Sequence, residues 1–169
     1  MSQQRRPPAE WIAISLPRQR LEIRAGSRSV RSWPVSTAAA GAGERHGSGA
    51  TPRGWHTIRA MIGAKAPSGS VFVARRPTGE IYSAALAAAY PRRDWILTRI
   101  LWLCGSEPGF NRGGAVDSQR RFIYLHGTPE TEPMGIPCSH GCIRLHSAEM
   151  IALFDVCRPG MAVWIGAED

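Results

Sequence analysis

Between Pro137 and Ser147 the stretch "PCSHGCIRLHS" carries two cysteines and two histidines, and His126 lies a short way upstream. Side chains of these types can bind a metal, form a disulfide or supply a nucleophile with its base. Structural zinc sites present paired ligands on two knuckles, typically C-x2-4-C together with H-x3-5-H. Here Cys138 and Cys142 are separated by three residues, with His140 between them. Ligands this close on one short loop crowd a tetrahedron, and a second knuckle is missing. The set His126, Cys138, His140, Cys142 and His146 therefore fits a metal poorly, and no metal or other cofactor is expected. A Cys138 to Cys142 disulfide across so tight a turn would be strained, and transient in a reducing compartment.

The nucleophile fits better. A cysteine attacks as its thiolate, which calls for a histidine or backbone amides that lower its pKa and for donors to the oxyanion that follows. "SHGCIR" offers these in sequence: Gly141 lets the backbone bend close to a carbonyl, and Cys142 with its own amide sits beside the bend. His126 ends a candidate strand, from which a fixed imidazole can meet the sulfur. His140, two residues before the cysteine, can also reach it, and residue chemistry alone does not separate the two histidines. Cys138, four residues before Cys142, is either a resolving thiol that protects it from over-oxidation or a small apolar filler.

The elements that must carry these groups are mostly strands. "WIAISLPRQRLEIRA", from Trp11 to Ala25, alternates in two short runs and predicts a hairpin turning at Pro17 to Gln19. "SVRSWPVSTA" predicts a further extended segment, residues 40–54 a glycine-rich loop, and "WHTIRAMIG" a return to strand. Further strands are expected at 70–76, 95–105, 121–127 and 161–166. "WILTRILWL" suits a buried helix as well, and its Ile, Thr and Trp content favours the strand. One helix is expected, Ser147 to Cys157, with Ser147 as its cap and Glu149 in the first turn. Met150, Ile151, Phe154 and Cys157 form its inward stripe, which makes Cys157 a core thiol. "RPG" at 158–160 stops it. His46 and His56 read as surface residues of a loop or strand, and His146 as the start of the helix. Many short strands punctuated by Gly and Pro indicate a mainly β sandwich or barrel.

At 169 residues and 18.4 kDa the chain suits one domain at 11–166, preceded by a flexible tail at 1–10. Its net charge of +8 comes almost wholly from arginine, Lys65 being the only lysine. Guanidinium suits carboxylate and phosphate ligands, although a bias to Ala, Gly and Arg also follows from base composition. The arginine pairs at 5/6, 75/76, 92/93 and 120/121 are scattered and form no nucleic-acid motif, so no nucleic-acid partner is expected. The first twenty residues have the positive start of a secretory signal without its apolar run, and no stretch reads as a membrane span. A cytoplasmic location without membrane contact is expected, with the four cysteines reduced; a periplasmic one would follow if a leader precedes this sequence.

"YLHGTPETEPMGIPCSHGCIRL", Tyr124 to Leu145, resembles the signature of the YkuD-type L,D-transpeptidases, a histidine followed by a Ser-His-Gly-Cys-apolar-Arg/Asn block. His126 stands fourteen residues before His140, as that signature asks, and "WPVSTA" and "TPRG" match two further elements of the family. The resemblance runs from about residue 11 to 166 and implies a β-sandwich of mixed sheets with one or two short helices, acting as a cysteine acyl transferase. It implies Cys142 as nucleophile, His126 as proton acceptor and donor, and the Gly127 carbonyl as orienter of the imidazole. Amides of Gly141 and Cys142 would form the oxyanion hole, Ser139 and His140 would shape the turn, and Arg144 would hold a substrate carboxylate or the loop itself. The implied substrate is a peptidoglycan stem tetrapeptide or muropeptide, attacked at the bond between its L-centred diamino acid and D-alanine, with carbapenem-type β-lactams as inhibitors. In a cytoplasmic setting water is the expected acceptor, giving an L,D-carboxypeptidase that trims recycled muropeptides. Cross-linking or D-amino-acid exchange is the alternative for an exported protein, and a non-catalytic wall-peptide binding module the second alternative. A basic nucleic-acid adaptor is a distant third.

Overall fold

The computed structural model describes residues 10–168, so the expected tail lies, apart from Glu10, outside the described residues. Alternating burial builds the first hairpin. In β1 (Trp11–Ser15) and β2 (Arg20–Ala25), Ile12, Ile14, Leu21 and Ile23 turn inward while their neighbours face out. β3 (Arg28–Pro34) adds an exposed edge, and β4 (Gly54–Ile62) follows the glycine-rich loop. The core of the chain is β7 (Ile96–Gly105), the run that suited helix or strand, and it is a strand. β8 (Tyr124–Thr128), β9 (Ile143–His146) and β10 (Ala162–Gly166) complete the principal framework.

The strands form one mixed sheet in the order β3-β2-β1-β10-β4-β7; the hairpin of β5 (Ser70–Val73) and β6 (Arg76–Ile81) pairs the start of β7 on the edge that β4 also uses, and the β8/β9 pair lies on the opposite edge. Two pairs are parallel, β1 with β10 and β8 with β9. Ile12 and Ile14 of β1 share one buried cluster with Leu125 of β8 and with Ile143 and Leu145 of β9, although these strands lie far apart along the sheet. The sheet therefore curls until its halves face each other across a common apolar layer, as the expected sandwich of mixed strands requires. Burial of these side chains, at roughly 1.5 to 3 kcal/mol each, is the main force that holds the curl.

α2 (Ser147–Val156) packs on β7, β8 and β9, beginning where the sequence indicates. Two details differ. The position preceding the helix is His146, and the Ser147 hydroxyl bonds Thr98 instead of capping. The buried stripe is Met150, Leu153 and Phe154, with Ile151 only half-buried and Cys157 packed at the margin of the core. The run expected as one strand at 70–76 is a hairpin, because Ala74 and Arg75 both adopt positive φ, 49° and 64°, and turn the chain in two residues. That geometry matches a primed turn, which usually advertises itself by Asn or Gly. A six-residue helix, α1 (Ala84–Ala89), was not anticipated, although Ser83 caps it by accepting from the Leu86 amide and alanine is the best helix former. The strand expected from 121 begins at Tyr124.

Candidate active site

The chemistry-bearing residues meet because β8 and β9 run parallel in a register that sets His126 beside Arg144 and Leu125 beside Ile143. Side chains alternate along a strand, so Leu125 and Ile143 enter the core while His126 and Arg144 share the opposite face. Cys142, just before β9, and Tyr124, at the head of β8, fall on that same face. Tyr124 donates its amide to the Cys142 sulfur at 3.4 Å. Cysteine and histidine are thus diagonal neighbours on paired strands, a separation that side chains span.

His126 is buried, and its Nδ1 lies 2.7 Å from the Gly127 carbonyl. A carbonyl only accepts, so Nδ1 carries the proton and Nε2 keeps its lone pair. Burial pushes the His126 pKa below the usual histidine value, partly offset by the bond to Gly127. The imidazole is therefore neutral at pH 7. Gly127 has its own constraint: a Cβ there would stand 2.5 Å from the Leu97 carbonyl of β7. β7 carries a bulge at this level, where Thr98 takes φ 75° and ties Ser147 and the Gly69 amide.

Cys142 is half-buried, and burial pushes its thiol up to about 12, against the opposing pull of the Tyr124 amide. One amide does not repay the desolvation of a thiolate. The thiol donates to the Phe122 carbonyl at 3.4 Å, so in this state it is turned toward Phe122 and not bonded to the imidazole. Phe122 itself holds φ 57°, a conformation that a bulky residue adopts only when its surroundings enforce it. Gly141 has φ 134°, which a side chain would strain, and its amide leans on Ser139 Oγ at 3.2 Å. Ser139 is buried and donates onward to the Cys142 carbonyl. The Cys142 amide has no hydrogen-bond partner among the described residues.

His140 is separated from this pair in character. Its side chain is 79% exposed and points to Asp94, 3.7 Å away. Arg144, expected to hold a substrate carboxylate or the loop, is buried and already engaged. It binds Asp94 at 2.9 Å, Glu132 at 3.6 Å and the Cys138 carbonyl at 3.3 Å. Its guanidinium holds the loop, and Cys138 contributes through its backbone. These residues line a cavity of about 270 Å³. A larger cavity, about 750 Å³, lies elsewhere, lined by Trp11 and Trp164 among others, and contains none of these side chains.

Several supports escaped sequence reasoning. Ser36 exchanges backbone bonds with Arg144 and accepts from the Cys138 amide, while Thr37 receives the Cys138 and Ser139 amides. Thr51 joins the Ala38 amide to the Gly141 carbonyl through its hydroxyl. "WPVSTA" and "TPRG" are therefore the cradle of the cysteine turn. Buried Gln19 locks Thr37 from behind. Asp94 carries no sequence signal beyond its charge. His56, expected at the surface, is buried and bridges the Gly54 carbonyl and the Ser118 hydroxyl; burial lowers its pKa to about 4. Its inward place follows from alternation in β4, where Ile58 faces the same way. His46 is exposed, and His146 stands at the head of α2 against Glu130 and the Glu132 carbonyl. Among the described residues no group of three or more His, Cys, Asp or Glu side chains is arranged to hold a metal ion.

Comparison with known proteins gives the same picture of the fold. An L,D-transpeptidase from Mycobacterium smegmatis superposes with a TM-score of 0.58 at 18% identity, over 94% of this chain and 59% of that one. The L,D-transpeptidase from Xylanimonas cellulosilytica gives 0.53 at 21% identity, over 98% of this chain and 64% of the other. L,D-transpeptidase 3 from Mycobacterium tuberculosis, solved with a faropenem-derived adduct, gives 0.56 at 16% identity, over 95% and 61%. The chain spans about three fifths of the length of these solved proteins. No curated protein matches the sequence significantly. The sequence profile of the YkuD L,D-transpeptidase catalytic domain matches residues 9–165, nearly all of the curled sheet and both helices, and the chain belongs to that family.

Proposed function

We propose that the protein is a cysteine-dependent acyl transferase that attacks the carbonyl of an L-centred diamino acid next to D-alanine in a peptidoglycan stem tetrapeptide. The observation that carries this is the pair on one sheet face: Cys142 diagonal to a buried His126 whose Nδ1 bond to the Gly127 carbonyl leaves Nε2 basic. Attack forms the C–S bond as the thiol proton passes to Nε2, with the Cys142 amide facing the developing oxyanion. Collapse breaks the C–N bond, and the imidazolium returns its proton to the departing amine. Water then adds to the thioester, gives a proton to His126, and frees the sulfur. Gly127 holds the ring in one tautomer throughout, while Ser139, Gly141 and Arg144 hold the turn.

Water is the acceptor in this reading, which makes the reaction an L,D-carboxypeptidase step producing tripeptides. A cytoplasmic setting and a role in trimming recycled muropeptides fit four cysteines that are all free. β-Lactam acylation of Cys142 is expected by analogy with the adduct-bearing relative from Mycobacterium tuberculosis.

The test is mass spectrometry of a disaccharide tetrapeptide incubated with wild type and with Cys142→Ala, with and without an added D-amino acid. Tripeptide and D-alanine formed only by wild type support the carboxypeptidase. Dimers or exchanged peptides make cross-linking or exchange the main reaction. A wild type that releases nothing leaves a binding module.

A further inference from the structure

A stem tetrapeptide ends in a carboxylate, and the Arg144 guanidinium is already turned to Asp94, Glu132 and the Cys138 carbonyl. Arg121, which also bears electrostatically on the thiol, spends its guanidinium on the Gly43, Glu44 and Ala50 carbonyls and on Ser48. Arg75 is different. The β5/β6 turn thrusts it over the candidate site, where its guanidinium lies 4.5 Å from the Trp102 ring centre and 4.9 Å from that of Phe122. Its one hydrogen bond among the described residues runs from Nη1 to the Tyr124 hydroxyl at 2.8 Å. The remaining donors of the five on a guanidinium stay open. Phe122 and Tyr124 are the two residues whose backbone grips the Cys142 sulfur. Arg75 thus stands one side chain beyond the nucleophile, half-buried and laid over two adjoining aromatic rings, with its planar fork suited to a planar anion.

We propose that Arg75, held over the rings of Trp102 and Phe122, is a carboxylate-binding subsite that takes the terminal carboxylate of the leaving D-amino acid. The proposal rests on the acyl-transfer reading above. It also gives the hairpin tip a purpose that a simple sheet edge lacks. Ala74 and Arg75 both occupy the left-handed region, where non-glycine residues pay a conformational cost, and the turn presents Arg75 at the tip. Charge-assisted hydrogen bonds of this kind are worth about 10- to 100-fold in kcat/KM.

The experiment compares a stem tetrapeptide ending in D-alanine with the same peptide ending in D-alaninamide, using wild type, Arg75→Gln and Arg75→Lys. Wild type is expected to prefer the free acid by about 10- to 100-fold, Arg75→Gln to lose that preference while its rate on the amide stays within about threefold, and Arg75→Lys to recover part of it. A wild type that cleaves both peptides equally overturns the subsite. So does an Arg75→Gln that falls equally on both, because Arg75 is then only a clamp on Phe122 and Tyr124. If Arg75→Gln does not fold, the wild-type ratio and Arg75→Lys still decide. A wild type that cleaves neither peptide in a Cys142-dependent manner overturns the acyl-transfer reading itself.

Discussion

A thiol held up to about 12 beside an imidazole held below its usual value describes a neutral pair, in contrast to the thiolate and imidazolium of many cysteine enzymes. Alkylation of Cys142 by iodoacetamide should therefore keep rising with pH through about pH 10, without a plateau near neutrality. A plateau at pH 6 to 8 would refute the neutral pair. For turnover the working form of His126 is the neutral one, whose folded-state pKa is depressed. Activity is then retained as pH falls through about 6.5, the ordinary histidine value, and is lost only at more acid pH. Replacing His126 with Asn removes the base and is expected to cost about 10²- to 10⁴-fold in kcat/KM, with circular dichroism unchanged. His140→Asn, altering an exposed side chain, should stay within about threefold of wild type; a loss matching that of His126→Asn would exchange the roles.

The elements explain why the cysteine turn holds one shape. Thr51 spans the "WPVSTA" segment and the Gly141 carbonyl, so Thr51→Val leaves a buried amide and carbonyl without their partner and should cost about 1 to 3 kcal/mol in urea unfolding. A loss well below about 0.5 kcal/mol would remove Thr51 from the cradle. Gly127→Ala drives a methyl into the β7 backbone, with an expected cost of about 1 to 3 kcal/mol and a larger loss of activity as His126 is displaced. Thermal melts and rates together check both. Much of this architecture was legible: alternating runs gave the first hairpin, and the long apolar run gave β7. The site's residue types stood in one short block. What escaped notice depends on partners distant in sequence. Ser36 and Thr51 lie in the two segments that the family resemblance marks, but their partners become visible only where the chain returns at Cys138 and Gly141. The Ala74 and Arg75 turn carries no glycine to announce it, and the thiol's raised pKa follows from burial, which residue types do not record.

At the scale of the molecule, two buried histidines tie stability to pH. His56 has a folded pKa of about 4 against an ordinary 6.5. Between those values the unfolded chain binds a proton that the folded chain refuses, so stability is full above about 6.5 and falls as pH drops toward about 4. The expected loss from His56 is roughly 3 kcal/mol, and buried His126 acts in the same direction. Urea unfolding of wild type and His56→Gln at pH 7 and pH 4.5 checks this. The variant should be less stable at pH 7 and lose less on acidification; equal losses in both proteins would place the acid sensitivity elsewhere.

The sheet order has a consequence for synthesis on the ribosome. β10 lies between β1 and β4, so in the strand order the first three strands reach β4 through a strand translated after all the other strands described. Domains can fold as they emerge, but this sheet cannot close until its keystone has been made. Ser36 and Thr37, which cradle the cysteine turn, follow directly on those waiting strands. A nascent chain halted after α2 would carry every chemistry-bearing residue while its first three strands still lacked the strand that ties them to β4.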